Sequence, residues 1–460
     1  MSTSNGRNAV DIIAAHAANL RYEDLSETAI IRARQVILDT IGTALGGYQT
    51  RLGRLAADYA AHRMPGEEST IIADGRSSNA EGAAWANGTM CKFLGMDDTS
   101  RLSGHVASEL APVVLALGEH LNLAGRDLIR AMAVGYDVFD AIQPWVRDWQ
   151  RERGLDHKSQ VGSMASAVTA AVAMGLDEEL IGQALALAMD MASGTEQYVW
   201  DAGYCDTKDL LAGLGARNGI MAARMAEFGF QGPPGALDGA YGYFHAFGPG
   251  YDPAYLEVLG KRGGLAETGF KPHAGCRHVH SCVDATQALV GSNGGLDLEA
   301  ITSIEIGSYH EAINPFFRVD PEPETTGQAG FSLPVTVAVV LQRGAWYRSD
   351  IETWDEPMTR HLRRLVKVEL DEELENSGGN GCKLRINTRD GKQYSSEVAY
   401  ALGEPENMLS DAEFEGKFRY LVGDLLPEEQ IVGLLDSCAR LEELENVGEL
   451  LGLASARVRA

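Results

Sequence analysis

Basic residues are in short supply in this chain. Its 460 residues carry 39 Lys and Arg against 65 Asp and Glu, a formal net charge of −26. Nucleic acids and anionic membrane surfaces are held by basic faces, so this deficit argues against both as partners. A small anionic substrate is still compatible, because a few local lysines outweigh a diffuse field that salt screens over about 10 Å. The plain reading of the acidity is solubility. Cysteine is scarce as well: Cys91, Cys205, Cys276, Cys282, Cys382 and Cys438 are scattered, with no CxxC spacing. A chain of this length needs no disulfide staples, and a reduced cytoplasmic protein is the expectation. No run of about 18 uncharged apolar residues occurs, so no membrane span is expected. The polar start, Met1 to Gly6, lacks a basic segment and cleavage site, and no signal peptide is read there. Also missing are HExxH, paired CxxC, carboxylate runs at metal spacing, a GxSxG elbow and a Walker loop. The residues therefore give a metal no support.

What is present is ordinary in bulk. Apolar residues make up 45% and charged residues 23%, as in soluble globular proteins. The length predicts two or three domains. Residues 8 to about 260 read as successive helices. Ser26 caps a helix with apolar positions at Ile30, Ala33, Val36, Ile37, Ile41 and Leu45, which Gly46 and Gly47 end. Pro112 suits the first turn of a helix from Val113 to Leu121. Arg126 to Ile142, Val161 to Met174, Leu180 to Ala192 and Leu210 to Phe228 continue the pattern, with enough Ala and Gly for close helix packing. Gly213, Gly215 and Gly219 have the spacing GxGxxxG rather than that of a dinucleotide loop, and no strand precedes them; they read as packing glycines.

Near residue 262 the character changes. Ala300 to Ser308, Leu365 to Leu370, Cys382 to Thr388 and Gln393 to Tyr400 alternate like strands, and Asp390-Gly391 is a hairpin turn signal. Val279 to Val290 and Ser332 to Gln342 are helical. The expected fold is thus mainly α. A large all-helical domain, residues 1–262 with 403–460, joins a smaller α+β domain, residues 263–402.

Three polar islands interrupt the helical background. The first is Asp97, Asp98 and Thr99 with His105 and Ser108. The second is Asp206 to Lys208. The third is Lys271 with Cys276, His278 and His280. Each has a bland reading: Asp and Thr suit a helix N-cap, a single His is unremarkable, and Lys208 and Lys271 would ordinarily be surface lysines. Two His at positions i and i+2 of a helix diverge, which disfavours a shared metal. The third island is denser than chance placement suggests and falls at the domain boundary. Ligand sites favour such interfaces and helix N-termini favour anions. Carboxylates, imidazoles and lysines together are what proton transfer beside a substrate carboxylate requires.

Arg34 to Gly47, the Asp97-Asp98-Thr99 element with His105 and Ser108, Lys208 with Ala212 and Gly213, the run Gly219 to Gly229, Lys271 to Ala285, Phe331 to Pro334 and Asp390-Gly391 follow one another in the order of a known pattern. On these residues the chain resembles the MmgE/PrpD family, which includes 2-methylcitrate dehydratase, cis-aconitate decarboxylase and iminodisuccinate epimerase. The resemblance implies a homodimer, an active-site cleft between the two domains, no metal or organic cofactor, and removal or return of a proton beside a carboxylate of a di- or tricarboxylic acid. It also implies Asp98, His105 and Lys271 as catalytic residues, with Asp97, Thr99, His157, Lys208, Cys276 and His280 binding substrate. The chain departs from the pattern at Gly95, where members commonly carry another Asp, and at Val106, Cys276 and Phe317. Around His157 the spacing to Gly162 is one residue short, so Asp156 or Lys158 competes for that place. These departures argue against cis-aconitate decarboxylase. A dehydratase is the leading expectation; an epimerase of a substituted succinate and an inactive carboxylate-binding homologue are the alternatives.

Overall fold

The computed structural model describes residues 7–100, 104–200, 205–314 and 318–456; the side chains of His157, Val199 and Trp200 lie outside the description. The fold is mainly α, and its buried apolar residues form two cores. The larger gathers residues from Ala9 to Phe270 and again from Leu409 to Ala454. The smaller runs from Ala274 to Ile386 and takes in Met96 and Leu421 from the helical part. Among the described residues no helix is long and apolar enough to cross a membrane.

The smaller part is built on a four-stranded sheet in the order Val366–Leu370, Ile301–Ser308, Cys382–Thr388, Gln393–Val398. The first pair is parallel and the other two are antiparallel. Asp390-Gly391 does turn the last hairpin: Gly391 has φ +79°, a left-handed conformation that glycine adopts without strain, and Asn387 pairs with Gln393 across it. The helices His280–Asn293 and Leu333–Arg343 pack against the sheet.

Two helix boundaries differ from the sequence expectation, each for a packing reason. Ser26 caps its helix, accepting from the Ala29 N–H at 3.1 Å, but the helix runs from Glu27 to Tyr48, through both glycines. Gly47 is not a stop. It lets the helix lie against Ala80–Phe93, because a methyl there would run into the Met90 carbonyl. Gly47→Ala is expected to destabilise the protein by about 1–3 kcal/mol through this overpacking, read as a lower thermal midpoint. The helix expected to begin at Pro112 starts instead at Ala107 and runs to Leu121. Proline has no N–H for the Ser108 carbonyl one turn back. That carbonyl faces the Cys91 thiol at 3.8 Å.

Gly213, Gly215 and Gly219 are indeed helix-packing positions. They bring Thr207–Phe228 against Trp85, Glu109 and Ser166 on three other helices. The helix Asp411–Val422 returns the chain to the large part, where Phe418 packs on Gly42 and Lys417 pairs with the buried Asp39.

Candidate active site

Two short extended segments tie the halves together. Asp98 and Thr99 pair antiparallel with Phe270 and Gly269. This ladder sets Asp97, just before one strand, beside Lys271, just after the other. Lys271 Nζ lies 2.7 Å from Asp97 Oδ1, and both side chains are 3% exposed. Lys92, the one cation in the Ala80–Phe93 helix, donates to Asp97 Oδ2 at 2.9 Å. Lys417 anchors the segment from below by donating to the Met96 carbonyl at 2.7 Å. Gly95, a departure from the family pattern, has a steric explanation. Its φ is +65°, and a Cβ would come within 2.8 Å of the Gly275 nitrogen, so a side chain does not fit.

His105 completes the cluster. Its Nδ1 is 2.8 Å from the Asp98 carbonyl and 3.2 Å from Asp97 Oδ2. Both neighbours are acceptors, so Nδ1 carries the proton and Nε2 is left with a free lone pair. Burial holds the imidazole well below its usual range against the opposing pull of Asp97, with Lys271 and Lys92 assisting. At neutral pH it is therefore uncharged. Burial raises Asp97, but His105, Lys271 and Lys92 together bring it well below the usual carboxylate range. Lys271 is pulled down to about 8, chiefly by burial, with Asp97 resisting and Lys92 assisting. Asp98 is pushed up to about 7 by burial and by Asp97.

Asp97, His105, Lys92 and Lys271 face a cavity of about 890 Å³ walled by both parts of the molecule. Lysines and arginines outnumber carboxyl groups in its lining despite the acidity of the chain as a whole. Of the sequence-predicted residues, Asp97, His105, Lys208, Lys271 and Cys276 line it. Lys208 stays cationic: burial lowers its pKa, but Asp209, 3.2 Å away, and Asp97 more than compensate.

Asp98, Thr99 and His280 are not among the lining residues. Asp98 sits behind His105 and accepts from the Ala107 N–H at 3.0 Å and the Tyr136 hydroxyl at 3.3 Å. Asp98 is not the N-cap that the sequence suggested: that place is Val106, and Asp98 meets the helix start from a separate strand. Thr99 is buried in the ladder. His280 is buried against His273, ring centroids 5.3 Å apart. Nothing is described of the His157 side chain, and Phe317 lies outside the described residues. Of the alternatives to His157, Asp156 caps its helix through the Lys158 and Ser159 N–H groups, each at 3.0 Å, whereas Lys158 reaches toward Glu196, 3.7 Å away. Both line the cavity.

Sequence reasoning did not place Lys92, Arg277, Tyr309 or Arg318 at the site. Arg277 donates to the Ser100 carbonyl at 2.9 Å. Tyr309 Oη and His278 Nδ1 are 2.6 Å apart. Arg318 is buried, its Nε without a hydrogen-bond partner among the described residues. The readable signal was Lys92, a lone cation in an Ala/Gly-rich helix; the others depend on tertiary contacts. Asp97, Asp98 and His105 also present ligand atoms within 4.8 Å of one another. Asp97 is already neutralised by two ammonium groups, so the local charge balance suits the lysines better than an added cation.

Residues 11–256 match the MmgE/PrpD N-terminal domain and residues 273–441 the MmgE/PrpD C-terminal domain. The chain belongs to the MmgE/PrpD family. Cis-aconitate decarboxylase of Homo sapiens is 28% identical over 459 residues, covering 94% of this chain and 92% of that protein. Cis-aconitate decarboxylase of Aspergillus terreus is 26% identical over 486 residues, covering 99% and 98%. The Mus musculus protein of the same name is 26% identical, covering 94% and 91%. The family relation supports a lyase, and the cavity lies where the two family domains meet.

Proposed function

We propose that this chain is a cofactor-independent lyase that removes a proton from the carbon beside a carboxylate of a di- or tricarboxylic acid and then expels water. The observation that carries the reading is His105, fixed through Nδ1, beside an ammonium-paired Asp97 in a cavity where Lys and Arg outnumber carboxyl groups. A proton next to an ionised carboxylate is very weakly acidic, and its removal builds a dianion. Preorganised cations in a site with little water stabilise that charge far more than they would at a surface. His105 Nε2 takes the proton. Lys271, Lys92 and Lys208 hold the carboxylate and the developing enediolate. Arg318 and Arg277 are placed for a second carboxylate, and Cys276 borders it. Asp98 acts through His105 as a positioning residue. The homodimer belongs to the same proposal and is checked by light scattering.

Lys271 gives the reading a pH signature. It binds as a cation, so its contribution is present below about pH 8 and is lost as pH rises through that value. kcat/KM, which reports the free enzyme, is expected to fall above about pH 8. K271R is expected to bind more weakly but lose that descending limb. A profile that instead rises through pH 8 makes Lys271 the base.

The reaction is tested by incubating the protein with 2-methylcitrate, citrate, malate, tartrate, cis-aconitate and iminodisuccinate and identifying products by NMR. An unsaturated acid with every carbon retained is the expected product. The names of the relatives favour a second reading, decarboxylation, which would appear as loss of one carbon and release of CO2. Inversion without loss of any group would instead identify an epimerase.

A further inference from the structure

Among the ionisable groups that line the cavity and take no part in the steps above, Glu109 is the one wedged between helices. Glu109 lies in the first turn of the Ala107–Leu121 helix. Its carboxyl is inserted between two other helices, at Gly162 and Gly215; a methyl on either glycine would collide with it. The residue is 3% exposed. Its Oε2 is buried and has no hydrogen-bond partner among the described residues. No described lysine or arginine pairs with it, although Lys92, bonded to Asp97, is near enough to influence it.

We propose that Glu109 is the general acid that protonates the departing hydroxyl, which makes the substrate a β-hydroxy acid. The proposal rests on the dehydratase reading above. A carboxylic group enclosed by helix backbone and apolar surface, without a cation of its own, keeps its proton at neutral pH. Burial does hold Glu109 well above the usual carboxylate range, with Lys92 opposing and Asp156 adding to the effect. An expelled hydroxide needs a proton, and a neutral acid beside the leaving oxygen supplies it. The step balances. The C–H bond breaks, its proton goes to His105 Nε2 and its electron pair becomes the new C=C bond. The C–O bond breaks with its electrons on oxygen, which takes the Glu109 proton and leaves as water. His105 then gives up its proton, and Glu109 regains one, after product leaves. Decarboxylation and epimerisation also end in a proton transfer, but to carbon rather than to a departing oxygen.

The test compares wild type with E109Q, which keeps the shape and a hydrogen-bond donor but has no proton to release. Malate, citrate and 2-methylcitrate in D2O give α-deuteration and unsaturated product as separate NMR signals. The accepted acid is also tried with chlorine in place of the hydroxyl, since chloride leaves without a proton. E109Q is expected to keep α-exchange, to lose dehydration by about 100-fold or more, and to expel chloride within a few-fold of wild type. Dehydration at the wild-type rate, or loss of chloride expulsion together with dehydration, overturns the assignment of Glu109 and leaves the dehydratase reading standing. Wild type that exchanges α-protons but dehydrates none of the three acids sinks that reading, and the assignment with it.

Discussion

Replacing Asp97 with asparagine is expected to lower stability by about 3–5 kcal/mol, because a buried ion pair loses one partner while the other stays buried. Two partners are affected here. Lys271 Nζ at 2.7 Å and Lys92 Nζ at 2.9 Å both rely on this carboxylate, and its side chain is 3% exposed. Asparagine has nearly the same shape, so cavity formation contributes little and the change isolates charge. Lys271, already down to about 8 mainly through burial, would fall further once its anion is gone and would stop serving as a cation at neutral pH. Activity should therefore disappear with the lost stability. The depressed Asp97 pKa sets the sign of the pH dependence. Its stabilisation is fully present above the unfolded carboxylate value of about 3.9 and is lost as pH falls through the lower folded value. Urea unfolding at pH 7 and pH 3 checks this: wild type and D97N should differ strongly at pH 7 and converge toward pH 3. A D97N midpoint equal to that of wild type at pH 7 would mean the carboxylate is not what holds the lysines.

Removing the imidazole should have the largest effect on chemistry with the least effect on the fold. His105→Ala is expected to slow α-proton abstraction by about 10²–10⁴-fold, the usual contribution of a positioned base. About a fifth of the His105 side chain is exposed, and among the described residues its ring meets only the Asp98 carbonyl at 2.8 Å and Asp97 Oδ2 at 3.2 Å. Truncation should therefore leave the thermal midpoint close to that of wild type. Added imidazole should restore part of the exchange by entering the space left behind. Exchange at the wild-type rate in H105A would transfer the role of base to Lys271.

The helices, the strands and the division into two parts were legible in the sequence because each rests on local periodicity and turn chemistry. The Cys382–Thr388 strand and the Asp390-Gly391 turn depend only on their own residues. Gly47 and Pro112 were misread as boundaries for a common reason: their meaning lies in a neighbouring helix, in the Met90 carbonyl and the Cys91 thiol. In the candidate site, Asp97, His105 and Lys271 were legible as polar residues out of place in an Ala/Gly-rich chain. What the sequence could not convey was how Asp97 and Asp98, adjacent in the chain, divide their work. In an extended segment successive side chains point to opposite sides. Asp97 thus meets two lysines at the cavity, while Asp98 turns inward to the Ala107 N–H and Tyr136. Glu109 was invisible for a different reason. It reads as one more acid at a helix start, and only the opposing Gly162 and Gly215 show that it is enclosed.

The central claim is proton abstraction beside a carboxylate, with His105 as the base. Its most direct measurement is solvent deuterium incorporation, followed by proton NMR in D2O with wild type and H105A, across 2-methylcitrate, citrate, malate and tartrate. Loss of an α-C–H signal with wild type, and its persistence with H105A, is the predicted result. Protonated α-carbons in all four acids after prolonged incubation with wild type, or equal exchange by the two proteins, would contradict the claim.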